Sequence, residues 1–245
     1  MIYEDCRDCR AKIWCRIYSG EVQGSKNPWC SAKYRLNEAL KLSRIPKIYL
    51  DANIYNYELD EDNKEIFEVV RSAVNNIVSI IDGGTNFFFY GANPGTGKTF
   101  NASVLLNHYI YKTCLTSRFD FENPLALYIV YADLMDDLRY RRDLDIVQDT
   151  LRLVNEVPLL LLDDVGSGTN SDFTRDQTYL IINNRINNGL STIYTSNLTI
   201  SELRKPEILG ARNTSRIVNN TVGSELHGKD RRMLTAKRGV GNERL

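Results

Sequence analysis

The residues Ala92-Asn93-Pro94-Gly95-Thr96-Gly97-Lys98-Thr99 carry the most legible chemistry in this chain. Gly95 and Gly97 allow turns that point successive backbone N–H groups at one anion. Lys98 brings a point charge to the β and γ phosphates of a nucleotide, and the Thr99 hydroxyl is suited to Mg²⁺. A helix opening near Gly97 aims its positive end at the same anion. The spacing therefore predicts a nucleoside triphosphate held by Asn93, Pro94, Gly95, Thr96, Gly97, Lys98, Thr99 and Phe100. Such loops ordinarily begin with Gly; here Ala92 takes that place, with Gly91 just before it. The competing reading is a plain glycine turn with an exposed lysine. The apolar run Phe87–Tyr90 ahead of the loop argues against it, because a strand entering a loop and then a helix is the context the chemistry needs.

A second group of polar residues follows the apolar run Leu159-Leu160-Leu161-Leu162, which ends in Asp163-Asp164. If this strand lies beside the phosphate-loop strand, Asp163 emerges near Thr99 and can hold the Mg²⁺ shell. Asp164 is then placed to orient or deprotonate an attacking water. Asp is one methylene shorter than the Glu common in related sites, which predicts slow hydrolysis. A later strand ends in Thr195-Ser196-Asn197, where Asn197 can hydrogen-bond both phosphate and water. The bland alternatives are a solvated strand end for the acids and an Asn-rich turn for Asn197.

These residues need elements to position them. Asp60-Glu61-Asp62 suits a helix start. Ile66, Val69, Val70, Val74, Ile77, Val78 and Ile81 follow at helical spacing up to Gly83-Gly84, which predicts one long amphipathic helix over residues 60–82. Strands are predicted at Phe87–Tyr90, Ala126–Tyr131, Leu159–Leu162 and Thr192–Thr195. Helices are predicted after the phosphate loop, with Val104, Leu105, His108 and Tyr109 on one side, and over residues 132–156 and 173–188. A short helix over Asn37–Leu42 precedes a linker at Ser43–Lys47, where Pro46 disfavours helix. The fully apolar Leu159–Leu162 suits a central parallel strand covered on both faces. Strands alternating with helices, without hairpin signals, predict an α/β fold with a parallel sheet flanked by helices.

The chain has 245 residues, enough for one substantial domain and a small appendage. Lys+Arg and Asp+Glu balance at 31 each, so any nucleic-acid contact must use a local patch. No apolar run approaches the roughly 18–20 residues that span a bilayer. Met1–Cys6 lacks the pattern of a signal peptide, and a cytoplasmic location is expected. Four of the five cysteines, Cys6, Cys9, Cys15 and Cys30, crowd the first 30 residues. Cys6-x-x-Cys9 is a common half-site for Zn²⁺, whereas the other spacings match no standard finger. A structural zinc can supply on the order of 10–16 kcal/mol to fold so short a segment. The alternative is reduced, buried thiols, as expected for Cys114.

The order of motifs resembles the DnaC/DnaI-type replicative helicase loaders, a lidless branch of the AAA+ ATPases. The resemblance covers about residues 43–232 and rests on the phosphate loop, Leu159–Asp164, Ile181-Ile182-Asn183-Asn184-Arg185, Thr192–Thr199, Leu209–Arg212 and Ser215-Arg216-Ile217. It implies a P-loop NTPase with an AAA+ core over residues 43–245 and a Cys-rich, zinc-binding module over residues 1–42. The chain ends soon after Arg232, which fits the absence of a helical lid. Asn197 becomes the first sensor and Arg232 the second. Arg216 becomes an arginine finger reaching a neighbouring subunit, with Arg212 its competitor; such fingers accelerate hydrolysis roughly 10³–10⁵-fold. The implied partners are a replicative helicase, single-stranded DNA and further copies of the chain. Arg139, Tyr140, Arg141 and Arg142 are candidates for DNA contact through phosphates and base stacking, with a solvated, ion-paired helix face as the equal alternative. Phage and mobile-element versions are common in this family.

The expected activity is therefore an ATP- and Mg²⁺-dependent switch that delivers a ring helicase onto single-stranded DNA. Its rivals are the ATPase subunit of a transposition system, a small-molecule kinase built on the same loop, and a non-hydrolysing ATP-dependent DNA-binding adaptor.

Overall fold

The computed structural model describes residues 30–140, 144–168 and 170–231. Five strands, β1 (Asn86–Tyr90), β2 (Ala126–Val130), β3 (Leu159–Asp163), β4 (Ser191–Ser196) and β5 (Thr221–Glu225), form one parallel sheet in the order β2-β3-β4-β1-β5. Around it lie α1 (Ser31–Leu42), α2 (Lys64–Asn75), α3 (Ile77–Asp82), α4 (Lys98–Thr113), α5 (Tyr131–Tyr140), α6 (Leu144–Glu156), α7 (Asp172–Asn187), α8 (Ile200–Leu203) and α9 (Gly210–Ile217). Among the described residues no helix is long and apolar enough to cross a membrane.

Alternate residues of each strand enter different cores, as a side-chain period of two requires. Phe87, Phe89, Leu159, Leu161 and Ile193 pack with α1–α4. Phe88, Leu160, Leu162 and Tyr194 pack with α5–α9 on the other face. The all-parallel sheet covered on both sides matches the pattern of apolar runs.

Several expectations need correction. Strand β3 does not lie beside β1, because β4 is inserted between them. Apolar runs announce strands but carry no information on lateral order. The expected helix over residues 60–82 is two helices. Asn76, at φ −117° and ψ 19°, leaves helical geometry between α2 and α3, and the apolar spacing runs through the break unchanged. The predicted helix over residues 132–156 is likewise α5 and α6, with residues 141–143 outside the described set. Helix α4 has no solvent side over most of its length: every residue from Asn101 to Tyr111 is buried. The sheet covers one side of it, and α1, α2, α3 and the 43–57 connection cover the other. Strand β5 is missed by the sequence because an exposed edge strand needs no apolar run.

The predicted helix at Asn37–Leu42 is longer, and its Leu36, Ala39 and Leu40 are buried in the core that holds α4. The expected boundary after residue 42 thus follows a helix that packs on the sheet domain. The Ser43–Lys47 linker is also tied down. Its continuation is held on α4 by Asn107 Nδ2, which donates to the carbonyls of Tyr49 and Ala52, both at 2.8 Å. The Ile54 N–H donates to His108 Nε2 at 3.3 Å. Burial, with Lys112 nearby, pushes the His108 pKa down to about 4, so the ring accepts as the neutral form.

Candidate functional site

Strand β1 delivers the chain to the loop at residues 91–97. Gly97 has φ +99°, a left-handed conformation that a side chain would strain, and it sits at the N-cap of α4. Its carbonyl accepts from Asn101 Nδ2 at 2.9 Å, and Asn101 Oδ1 accepts from the Tyr57 hydroxyl at 2.7 Å. Burial raises the Tyr57 pKa to about 12, so this phenol stays a donor. Phe100 meets the Tyr57 ring edge-on at 5.5 Å between centroids. Lys98 is buried, and its Nζ donates to the carbonyls of Gly91 at 2.9 Å and Asn93 at 2.8 Å. The Thr96 hydroxyl donates to the Asn93 carbonyl at 3.3 Å, and Pro94 stands exposed at the tip.

The acids at the end of β3 meet this loop. Thr99 Oγ1 donates to Asp163 Oδ1 at 2.9 Å. The contact survives the insertion of β4 because α4 leans across β4 to reach β3. Two further hydroxyls hold the same carboxylate: Thr195 Oγ1 donates to Oδ1 at 2.6 Å and the Tyr128 hydroxyl donates to Oδ2 at 2.6 Å. Thr195 Oγ1 also accepts from the Asp164 N–H at 2.8 Å. Asp164 adopts φ +58°, and Asn197 Nδ2 donates to its Oδ1 at 2.7 Å. Lys98, Thr99, Asp163, Asp164 and Asn197 are thus drawn to one end of the sheet, the last four linked through hydroxyl and amide hydrogen bonds. A hydroxyl beside a carboxylate is the sparse, all-oxygen donor set that suits Mg²⁺, which takes one or two protein oxygens and fills its shell with water and phosphate.

The remaining candidates do not join this network. Arg212 lies over the Tyr179 ring, 3.5 Å from its centroid, and Arg216 flanks the same phenol, so both sit on the α7–α9 surface. Arg139 donates to Thr174 Oγ1 at 2.8 Å and to Ser171 Oγ, and stacks near Tyr140 and Phe173. Its guanidinium is thereby occupied at the start of α7, while Tyr140 is exposed. Cys30 precedes α1 and its carbonyl accepts from the Tyr34 N–H at 3.0 Å. Cys6, Cys9, Cys15, Arg141, Arg142 and Arg232 lie outside the described residues.

Sequence reasoning misses Tyr128 and Thr195 as partners of Asp163, and it misses a strap over the loop. After β5, the Leu226 N–H donates to the Tyr90 carbonyl at 2.7 Å and the Arg231 N–H donates to the Gly95 carbonyl at 3.0 Å. A Cβ on Gly95, itself at φ +69°, would lie 1.8 Å from Asp230 Oδ1, so the strap rests directly on the loop backbone. Arg231 Nη2 then reaches Asp60 Oδ1 at 2.7 Å and holds that carboxyl below its usual range. The paired charges Asp60 and Arg231 are visible in the sequence, but their separation of 171 positions hides the pairing.

No protein-family model matches the chain. It is 26% identical over 173 residues to the replicative helicase loader DnaC of Buchnera aphidicola subsp. Schizaphis graminum, covering 67% of this chain and 65% of that protein. It is also 26% identical over 161 residues to the replicative helicase loader DnaI of Bacillus subtilis, covering 61% and 48% respectively. The chain thus spans about half to two thirds of these relatives' lengths. A crystal structure of the DnaC helicase loader superposes with a TM-score of 0.59 at 27% identity, over 74% of this chain and 100% of that one.

Proposed function

We propose that this chain, similar in sequence and fold to the DnaC and DnaI replicative helicase loaders, is an ATP- and Mg²⁺-dependent loader that places a replicative ring helicase on single-stranded DNA. The observation that carries the reading is the 2.9 Å hydrogen bond from Thr99 to Asp163. It joins a phosphate-binding loop to an acid on another strand, which a structural glycine turn does not require.

In this reading the loop N–H groups and the start of α4 bind the phosphates. Lys98 leaves the carbonyls of Gly91 and Asn93 for the β and γ phosphates. Thr99 and Asp163 hold Mg²⁺, which when bound neutralises charge developing on the phosphates. Asp164 orients the attacking water, and Asn197 holds Asp164 and senses the γ-phosphate. Arg216, or Arg212 beside it, leaves Tyr179 to enter a neighbouring subunit's site, which makes the active form an oligomer. Arg232 acts as a second sensor, and Cys6, Cys9, Cys15 and Cys30 hold zinc in the part that meets the helicase.

The test is retention of a fluorescent ATP analogue, followed by capture of partners with the nucleotide-bound protein. Lys98→Ala is expected to weaken retention by roughly 10²-fold, as loss of a charge-assisted phosphate contact implies. A hexameric helicase recovered with the parent protein, and not with Lys98→Ala, supports the reading. Recovery of a transposase instead, or equal nucleotide retention by both proteins, overturns it.

A further inference from the structure

We infer that Tyr128 is a positioning residue for Asp163, fixing which carboxylate oxygen faces Thr99. The inference rests on the nucleotide reading of the site and deepens it. Asp163 is gripped on both oxygens. Oδ2 accepts from the Tyr128 hydroxyl at 2.6 Å, and Oδ1 accepts from Thr99 at 2.9 Å and from Thr195 at 2.6 Å. Only Thr99 belongs to the phosphate-binding motif, at the first turn of α4.

The placement follows from the sheet. Tyr128 stands opposite Leu161 in the β2–β3 register, two positions before the pair Val130 and Asp163. With a side-chain period of two, Tyr128, Leu161 and Asp163 share the face that α4 covers. Tyr128 leans along its strand to reach the acid at its neighbour's end. Both the ring and its backbone are held in place. It is buried, it stacks on Tyr49 at 6.5 Å between centroids, and its backbone N–H donates out of the sheet to the Ser43 carbonyl at 2.9 Å. Facing a carboxylate oxygen, which only accepts, the phenol hydroxyl is the donor of this bond.

A donor locked on Oδ2 withdraws that oxygen from the metal and stops the carboxylate from turning. Oδ1 is left beside the Thr99 hydroxyl, and these two oxygens are the ones that would hold the metal. An ordinary core tyrosine would need only some acceptor for its hydroxyl. Here the acceptor is the one carboxylate that meets the loop.

The experiment measures the Mg²⁺ concentration that half-saturates retention of a fluorescent ATP analogue, with a parallel arm in EDTA. Tyr128→Phe keeps the ring and is expected to raise that concentration about tenfold, the typical effect of losing one hydrogen bond to a charged group. Affinity in EDTA should be unchanged. The shift should vanish when Tyr128→Phe is combined with Asp163→Asn. Should Tyr128→Phe fail to fold, Tyr128→Met, which also removes the donor to Oδ2, takes its place with the same expected shift, and no shift overturns the inference. An unchanged Mg²⁺ midpoint in Tyr128→Phe, or an equal shift with and without Asp163, overturns the inference while leaving the nucleotide reading intact. A parent protein that retains no nucleotide overturns both.

Discussion

Asp164 is the residue at which backbone and chemistry conflict. Its φ of +58° is a conformation that Asp tolerates better than most side chains, and Asn197 ties its carboxylate at 2.7 Å. Glu at this position reaches further toward a water but fits the backbone less well. Asp164→Glu is expected to raise ATP turnover several-fold, while costing about 1 kcal/mol of stability through the left-handed backbone. Steady-state hydrolysis paired with thermal melting checks both signs, and a large fall in turnover would remove Asp164 from the water. At this scale the site is half legible. Lys98, Thr99 and Asp163 announce themselves because residue type and local spacing carry their chemistry. Tyr128 and Thr195 do not, since each is an ordinary strand residue until a partner more than 30 positions away defines it.

Among the elements, the junction of α6, α7 and β4 turns on one buried cation. Arg185 is 1% exposed and donates to the carbonyls of Val154 at 2.7 Å and Val157 at 3.0 Å, to Thr192 Oγ1 at 2.9 Å, and to the Ser191 carbonyl. Val154 and Val157 lie at the C-terminal end of α6, so the guanidinium also meets the negative end of that helix. Burial pulls its pKa down to about 10, which still leaves it charged near neutrality. Arg185→Met would strand these carbonyls without a donor and is expected to cost about 3–5 kcal/mol. That corresponds to a fall in Tm of roughly 10 °C for a chain of this size, measurable by calorimetry. Strands and helices are legible here from apolar runs and spacing. Their lateral order is not, because the insertion of β4 between β1 and β3 is decided by packing across both faces.

Over the whole molecule, the phosphate loop is enclosed by segments from opposite ends of the described chain. The 43–63 connection is laid along α4 by Asn107 and His108, and it presents Tyr57 and Asp60 to the loop. The strap after β5 closes the circuit through Arg231 and Asp60. Their ion pair is partly exposed, so its loss is expected to change stability by only about 0.5 kcal/mol. Its expected effect lies in kinetics: Arg231→Ala should speed release of a fluorescent ATP analogue about threefold, in line with that small free energy. Asp60→Asn should match it, and the double variant should go no further. Identical release from parent and Arg231→Ala in stopped flow would separate the strap from the nucleotide.

Helix α4, walled in over its whole middle stretch, behaves as a shaft in a fitted bearing. It has no room to roll or slide without tearing the hydrogen bonds that Asn107 and His108 make to the connection. Under the proposed reading, a change at bound phosphates would travel outward through the lightly fastened rim, the strap on one side and α9 with its arginines on the other, while the hub stays still.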